Sequence, residues 1–359
     1  MTPASQTLGV SETPRVLPRP DLNTLELYRR RFCDAAYWAD CVRIVCERHG
    51  LLPCRSIANR VPGTYPTFIV NDRWVVKFFG RLFEGEASFR TELDANRLVA
   101  ADGGIPAPAL LAQGSLFPSH SAGQTDVRGD GEAGDGWPWP YLIFECAPGD
   151  SLGEVYEQVG FDDKLGLARQ LGRMARRLHQ TPIDGAGVLQ PTWDAYRQLL
   201  DERRGKCVED HRAWGTPARW VDQMEEFLAP VEQLIDDSAP PSLLHADLTA
   251  DHILGRFDGG RWSMAGLIDF GDAMVGDPAY ELIALHLDAF RCDRRLLAAF
   301  LAAYDPAGGG RAGRGMIERA RHLTLLHRFD VLAVAVARLP GADAPADLGE
   351  LMAAVWGGS

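Results

Sequence analysis

Two carboxylates, each at the end of an apolar β-like run and 22 positions apart, restrict this chain more than any other feature. The stretch LLHADLTADHILG (residues 243–255) runs from apolar residues into His245 and Asp247. It crosses a short polar turn, reaches Asp251 and His252, and becomes apolar again. The stretch MAGLIDFGD (264–272) is an apolar strand that delivers Asp269 to a Phe-Gly turn. A strand ending on Asp and Gly can present a carboxylate to a divalent cation bridging phosphates. The same residue pair also makes an ordinary turn. Asp247, on a turn after a strand, can accept the proton of an attacking hydroxyl and orient it. His245 reads as a brace for that loop rather than as the base. Phosphoryl-transfer loops of the form H-x-D-x-x-x-x-N place a metal-binding Asn where this chain has His252.

A third element lies far upstream. Only three lysines occur, Lys77, Lys164 and Lys206, so the placement of each is informative. Lys77 sits in RWVVKFF, where alternation puts Val75, Lys77 and Phe79 on one face and Trp74, Val76 and Phe78 on the other. A lysine among apolar neighbours needs a paired charge if buried, whereas an edge-strand lysine simply reaches water. In the following FRTELDANRLVA, Glu92 shares a helical face with Ala95 and Val99. It is placed either to meet Lys77 or to lie in solvent. A strand Lys, a helix Glu, H-x-D and then an Asp-Phe-Gly turn, in that order, are far more specific together than singly.

Periodicity predicts a helix over 22–49 ending at His49-Gly50, a hairpin over 65–79 around Asn71-Asp72, and a helix over 84–101. A strand follows in IPAPALLAQGSL, then a Gly- and Ser-rich loop at 117–136 and a strand at 141–146. Residues 151–236 read as mostly helical, 242–270 as a short β segment, and the remainder as helices. The expected organisation is α+β: a flexible tail at 1–20, a β-rich front lobe at 21–146 and a mainly helical back lobe at 147–359, with the seam near Cys146–Gly149. Seven cysteines without a C-x-x-C pair favour a reduced, cytoplasmic setting. No apolar run is long enough to span a membrane. A net charge of −12 disfavours nucleic acid and leaves room for a cationic ligand.

The motifs VVKFFG, HADLTADH and LIDFGD, with IPAPALLAQG, WPWPYLIFECAPG, LGRMARRLH, LLDERRGKCVEDHRAWG and YELIALHLDAFRCDR, carry a resemblance. Over roughly residues 25–300 the chain resembles the aminoglycoside phosphotransferase family, and within it the members that phosphorylate the 7″-hydroxyl of hygromycin B. The resemblance implies a two-lobed protein-kinase-like fold and an ATP- and Mg²⁺-dependent small-molecule kinase that confers antibiotic resistance. It implies that Lys77 contacts phosphates and pairs with Glu92, and that Glu145 and Cys146 form the hinge beside the nucleotide base. It further implies Asp247 as catalytic residue, Asp269 as metal ligand and Asp277 as a brace.

His252 departs from the family pattern. It serves as a metal ligand, tolerant of Mn²⁺, or leaves most of the metal to Asp269, or marks a weak catalyst. The acceptor is expected against back-lobe helices, with Asp251, His211, Arg212, Trp214 and Asp288 as candidates. Two alternatives stay open at this point: a kinase of the same fold for an amino alcohol or sugar, and a nucleotide-binding protein without turnover.

Overall fold

The computed structural model describes residues 17–59, 63–118, 136–307, 311–339, 341 and 345–357. Most of the tail expected at 1–20 and most of the loop expected at 117–136 lie outside them. The chain forms two compact units, one comprising residues up to Glu86 with Ala112–Ile143, the other Ala87–Leu111 with Phe144–Ser359. The architecture is α+β. Among the described residues no helix is long and apolar enough to cross a membrane. None of the seven cysteines forms a disulfide.

The first unit is built on a five-stranded sheet in the spatial order Ile57–Ala58, Thr67–Val70, Trp74–Phe78, Pro140–Glu145, Leu110–Ser115. The expected hairpin forms. Asn71 and Asp72 take φ of 54° and 53°, and the Arg73 N–H closes the turn on the Val70 carbonyl at 3.0 Å. Asn and Asp tolerate the left-handed region that such a turn requires. Val76 and Phe78 are fully buried with Trp38, whose ring stacks on Phe78 at 4.9 Å. The single helix expected over 22–49 is two, Leu25–Arg31 and Ala35–Arg48. Asp34 breaks it: its carboxylate accepts the N–H groups of Ala36 and Tyr37 and caps the second helix. The stop at His49-Gly50 is as expected, with Gly50 at φ 68°.

The second unit is mainly helical. Its long helices Phe161–His179 and Arg294–Tyr304 pack together where Gly172 lets them approach. Two small sheets position the chemistry. Ser242–Leu244 pairs antiparallel with Met274–Gly276, and Ile253–Asp258 pairs antiparallel with Arg261–Leu267. The loop at 245–252 links the first strand of one pair to the first of the other. The loop at 268–273 links the two remaining strands. Both loops are therefore brought side by side by backbone pairing alone.

Candidate active site

Both loops carry a residue in the left-handed region: Ala246 at φ 65° and Asp269 at φ 64°. Such a conformation costs a residue with a Cβ about 1–2 kcal/mol and persists only where surroundings impose it. For Ala246 the cause is Glu281. This fully buried carboxylate accepts the N–H of His245 at 2.8 Å and of Ala246 at 2.9 Å. His179 Nε2 lies 3.3 Å from it, and His179 Nδ1 lies 2.8 Å from the Tyr304 hydroxyl. Burial pushes the Glu281 carboxyl up, but the His179 bond, the His179 and His245 rings and the backbone donor outweigh it, and the net direction is down. The charged form that the N–H groups require is thereby favoured.

His245 also belongs to this brace. Its Nε2–H donates to the Ile268 carbonyl at 3.0 Å, and its Nδ1 accepts the Asp247 N–H at 3.3 Å. Burial lowers its pKa to about 4, so the ring is neutral. Asp247 follows it, its side chain 21 % exposed. Burial pushes the Asp247 carboxyl up to about 6, against the nearby His252; Asp272, Asp269 and Asp288 add like-charge repulsion.

His252 stands between the two carboxylates. Its Nδ1 lies 2.7 Å from the Asp247 carbonyl, 3.1 Å from Thr249 Oγ1 and 3.4 Å from Asp247 Oδ2. Its Nε2 lies 3.7 Å from Asp269 Oδ2. The Gly271 N–H reaches Asp269 Oδ1 at 3.4 Å. Among the described residues no group of three or more His, Cys, Asp or Glu side chains gathers at metal-binding spacing. The His252–Asp269 pair offers one nitrogen and one carboxylate, which fits a divalent cation whose other positions go to phosphate and water oxygens.

The other expected site residues separate into groups. In the first unit Lys77 is buried, with its Nζ 5.7 Å from the Tyr65 ring and 5.4 Å from the Phe79 ring. In the second unit Glu92 is buried on the helix Gly85–Asp102. Glu145 is exposed, and its N–H donates to the Ala109 carbonyl at 2.9 Å; the Cys146 thiol lies 3.7 Å from the Ala147 carbonyl. Asp251 is exposed on the loop, 3.4 Å from the Ser151 hydroxyl. Asp288 lies on a π-helical turn, Leu285–Ala289, and accepts the Ala250 N–H at 2.7 Å. Arg212 faces Asp222 at 3.6 Å, and the Arg203 guanidinium lies 5.6 Å from the Trp214 ring.

His211 is a correction. It is 1 % exposed, its Nδ1 is 3.1 Å from the Thr216 hydroxyl, and its Nε2–H donates to the Leu325 carbonyl. An imidazole spent at both nitrogens inside the core does not meet an acceptor. Asp277 is fully buried and accepts the N–H groups of Asp236 and Ala279 together with the Arg319 guanidinium. Sequence reasoning missed Glu281 and His179 as site residues. The available signal was a carboxylate within the apolar run YELIAL, which must be paired when buried.

The family model for the phosphotransferase enzyme family matches residues 62–316. The chain belongs to that family. Its fold is the kinase-like fold of that family. Among solved structures it is similar to the GDP and kanamycin complex of APH(2″)-IIIa, with a TM-score of 0.57 and 21 % identity over 83 % of this chain and 95 % of that one. It is also similar to the ternary complex of streptomycin, ATP and APH(2″)-IIa, with a TM-score of 0.54 and 17 % identity over 88 % and 98 %. A curated relative, lysine-specific demethylase JMJ21 of Arabidopsis thaliana, is 24 % identical over 204 residues, 46 % of this chain. The match spans about a fifth of that protein's length, 21 %.

Proposed function

We propose that the chain is an ATP-dependent O-phosphotransferase for a hydroxyl of an aminoglycoside-like cation, with hygromycin B as the first acceptor to test and antibiotic resistance as the cellular consequence. The observation that carries this reading is the row Asp247, His252, Asp269, with spacings of 3.4 Å and 3.7 Å between the ring nitrogens and the carboxylate oxygens. Three further carboxylates, Asp269, Asp272 and Asp288, bear on Asp247 there. Such a surface favours a cationic acceptor.

In this reading the acceptor oxygen attacks the γ-phosphorus as its proton passes to a carboxylate oxygen of Asp247, and ADP departs. A carboxyl raised by burial is a better proton acceptor than an ordinary aspartate. Asp269 and His252 would hold Mg²⁺ or Mn²⁺; when bound, the ion offsets phosphate charge. Lys77 would contact the phosphates, kept in place by Glu92, and the backbone of Glu145 and Cys146 would flank the base. Nucleotide contacts are thus drawn from 21–146 and acceptor contacts from 147–359, with Asp251, Asp288, Arg212 and Trp214 as acceptor candidates. Positioning and charge neutralisation supply most of the rate in such chemistry.

The test incubates the protein with Mg²⁺ and ATP or GTP against hygromycin B, other aminoglycosides, amino alcohols and sugars, and reads phosphorylated product by mass spectrometry. A phosphoryl adduct on hygromycin B supports the full reading. An adduct only on an amino alcohol or sugar moves the acceptor class. No adduct and no nucleotide turnover would sink it.

A further inference from the structure

We infer that the His252–Asp269 pair is a nitrogen–oxygen site for a first-row transition divalent cation such as Mn²⁺, and that Thr249 acts with the Asp247 carbonyl to set it by fixing the His252 ring. The inference rests on the metal-dependent reading above and adds to it the chemical class of the ion and a positioning residue.

The argument starts from what each neighbour of the ring can do. A backbone carbonyl only accepts, so the 2.7 Å contact between His252 Nδ1 and the Asp247 carbonyl requires Nδ1 to carry a hydrogen. Thr249 Oγ1, at 3.1 Å from the same nitrogen, shares that hydrogen. A neutral imidazole with Nδ1–H has its lone pair on Nε2. Nε2 is the atom on the Asp269 side, 3.7 Å from Oδ2.

A ring oriented by a hydrogen bond from its far nitrogen is the usual way a protein aims an imidazole at a metal. Here that bond runs to the main chain of Asp247, so the same turn orients the metal ligand and the catalytic carboxylate. An Asn at this position would offer an amide oxygen, which suits Mg²⁺. Replacing that oxygen by an imidazole nitrogen shifts preference toward transition ions. Thr249 touches neither the ion nor the reacting atoms and is a positioning residue.

The experiment uses Mn²⁺ with a non-hydrolysable ATP analogue and the full chain. Electron spin resonance gives the Mn²⁺ affinity, and electron spin-echo modulation reports nitrogen bound to the ion. Wild-type protein is expected to show nucleotide-dependent Mn²⁺ uptake with imidazole nitrogen coupling. In His252→Asn the coupling disappears, and Mg²⁺ displaces Mn²⁺ more readily. Thr249→Val weakens Mn²⁺ binding about tenfold, the lower range for removing a hydrogen bond to a ligating imidazole, and Thr249→Ser restores it. Mn²⁺ bound with nucleotide but without nitrogen coupling overturns the proposal and leaves the phosphotransferase reading standing. No nucleotide-dependent Mn²⁺ uptake overturns both. Unchanged affinity in Thr249→Val overturns the role given to Thr249.

Discussion

Asp247 owes its position to a neighbour with no chemistry of its own, since the left-handed turn at Ala246 aims the carboxylate. The brace beneath acts on backbone, so replacing the side chain of Asp247 leaves the loop in place. Asp247→Ala is expected to lower kcat by about 10²–10⁴, the range for a positioned acid or base, while nucleotide binding measured by calorimetry stays near wild type. Turnover within about threefold of wild type would rule out its role as base. Asp269→Ala should instead weaken productive use of metal–nucleotide. Near-normal nucleotide turnover in that variant would remove Asp269 from the metal site.

Among the elements, the apolar segment beginning at Glu281 holds the Asp247 loop through its backbone N–H groups. Glu281→Gln keeps the shape but turns an amide NH₂ toward backbone donors. Hydrogen bonds to a charged group are worth about 1.5–3 kcal/mol, which corresponds to a fall in kcat of about 10–150-fold if the loop shifts. The KM for nucleotide should change little, and equal losses in both constants would argue against a loop-positioning role. The helix pair that frames this element has its own requirement. A Cβ at Gly172 would lie 2.3 Å from the Phe300 carbonyl and 3.1 Å from Ala303 Cβ. Gly172→Ala should therefore cost about 1–3 kcal/mol by forcing the helices apart, despite the better helix propensity of Ala. Equal or greater stability in urea unfolding would show that the helices yield.

Across the second unit, several histidines are buried in a neutral form. Burial lowers His286 to about 4 and His327 to about 3. In the unfolded chain such groups titrate near pH ~6.5. Between that pH and about 4 the unfolded chain binds protons that the folded chain does not. Stability is therefore fully present above pH ~6.5 and falls with pH, by about 1.4 kcal/mol per pH unit for each group. Asp247 opposes the trend: raised to about 6, it takes up its proton in the folded state first as pH falls below that value. Histidines outweigh it because His245 is lowered as well, to about 4. Chemical unfolding at pH 7.5, 6 and 5 should show a steep loss. A flat profile would mean that these rings are solvated in the folded protein.

Local sequence determined the pieces of this protein. The Asn71-Asp72 hairpin, the stop at His49-Gly50 and the strands that deliver Asp247 and Asp269 follow from turn chemistry and periodicity, which act over a few residues. The same local logic could not see the break at Asp34, because its cap competes with a helical pattern that continues on both sides. Nor could it separate His211 from His252, two histidines that each directly follow an aspartate. Long-range contacts separated them: Leu325 draws one into the core, while the pairing of Ser242–Leu244 with Met274–Gly276 sets the other beside Asp269. Glu281 reaches the turn before Asp247 across 36 residues and His179 reaches Glu281 across 102. A buried carboxylate must find its partners wherever the fold brings them, so the brace of this site was decided by tertiary structure, and the residues it braces by sequence.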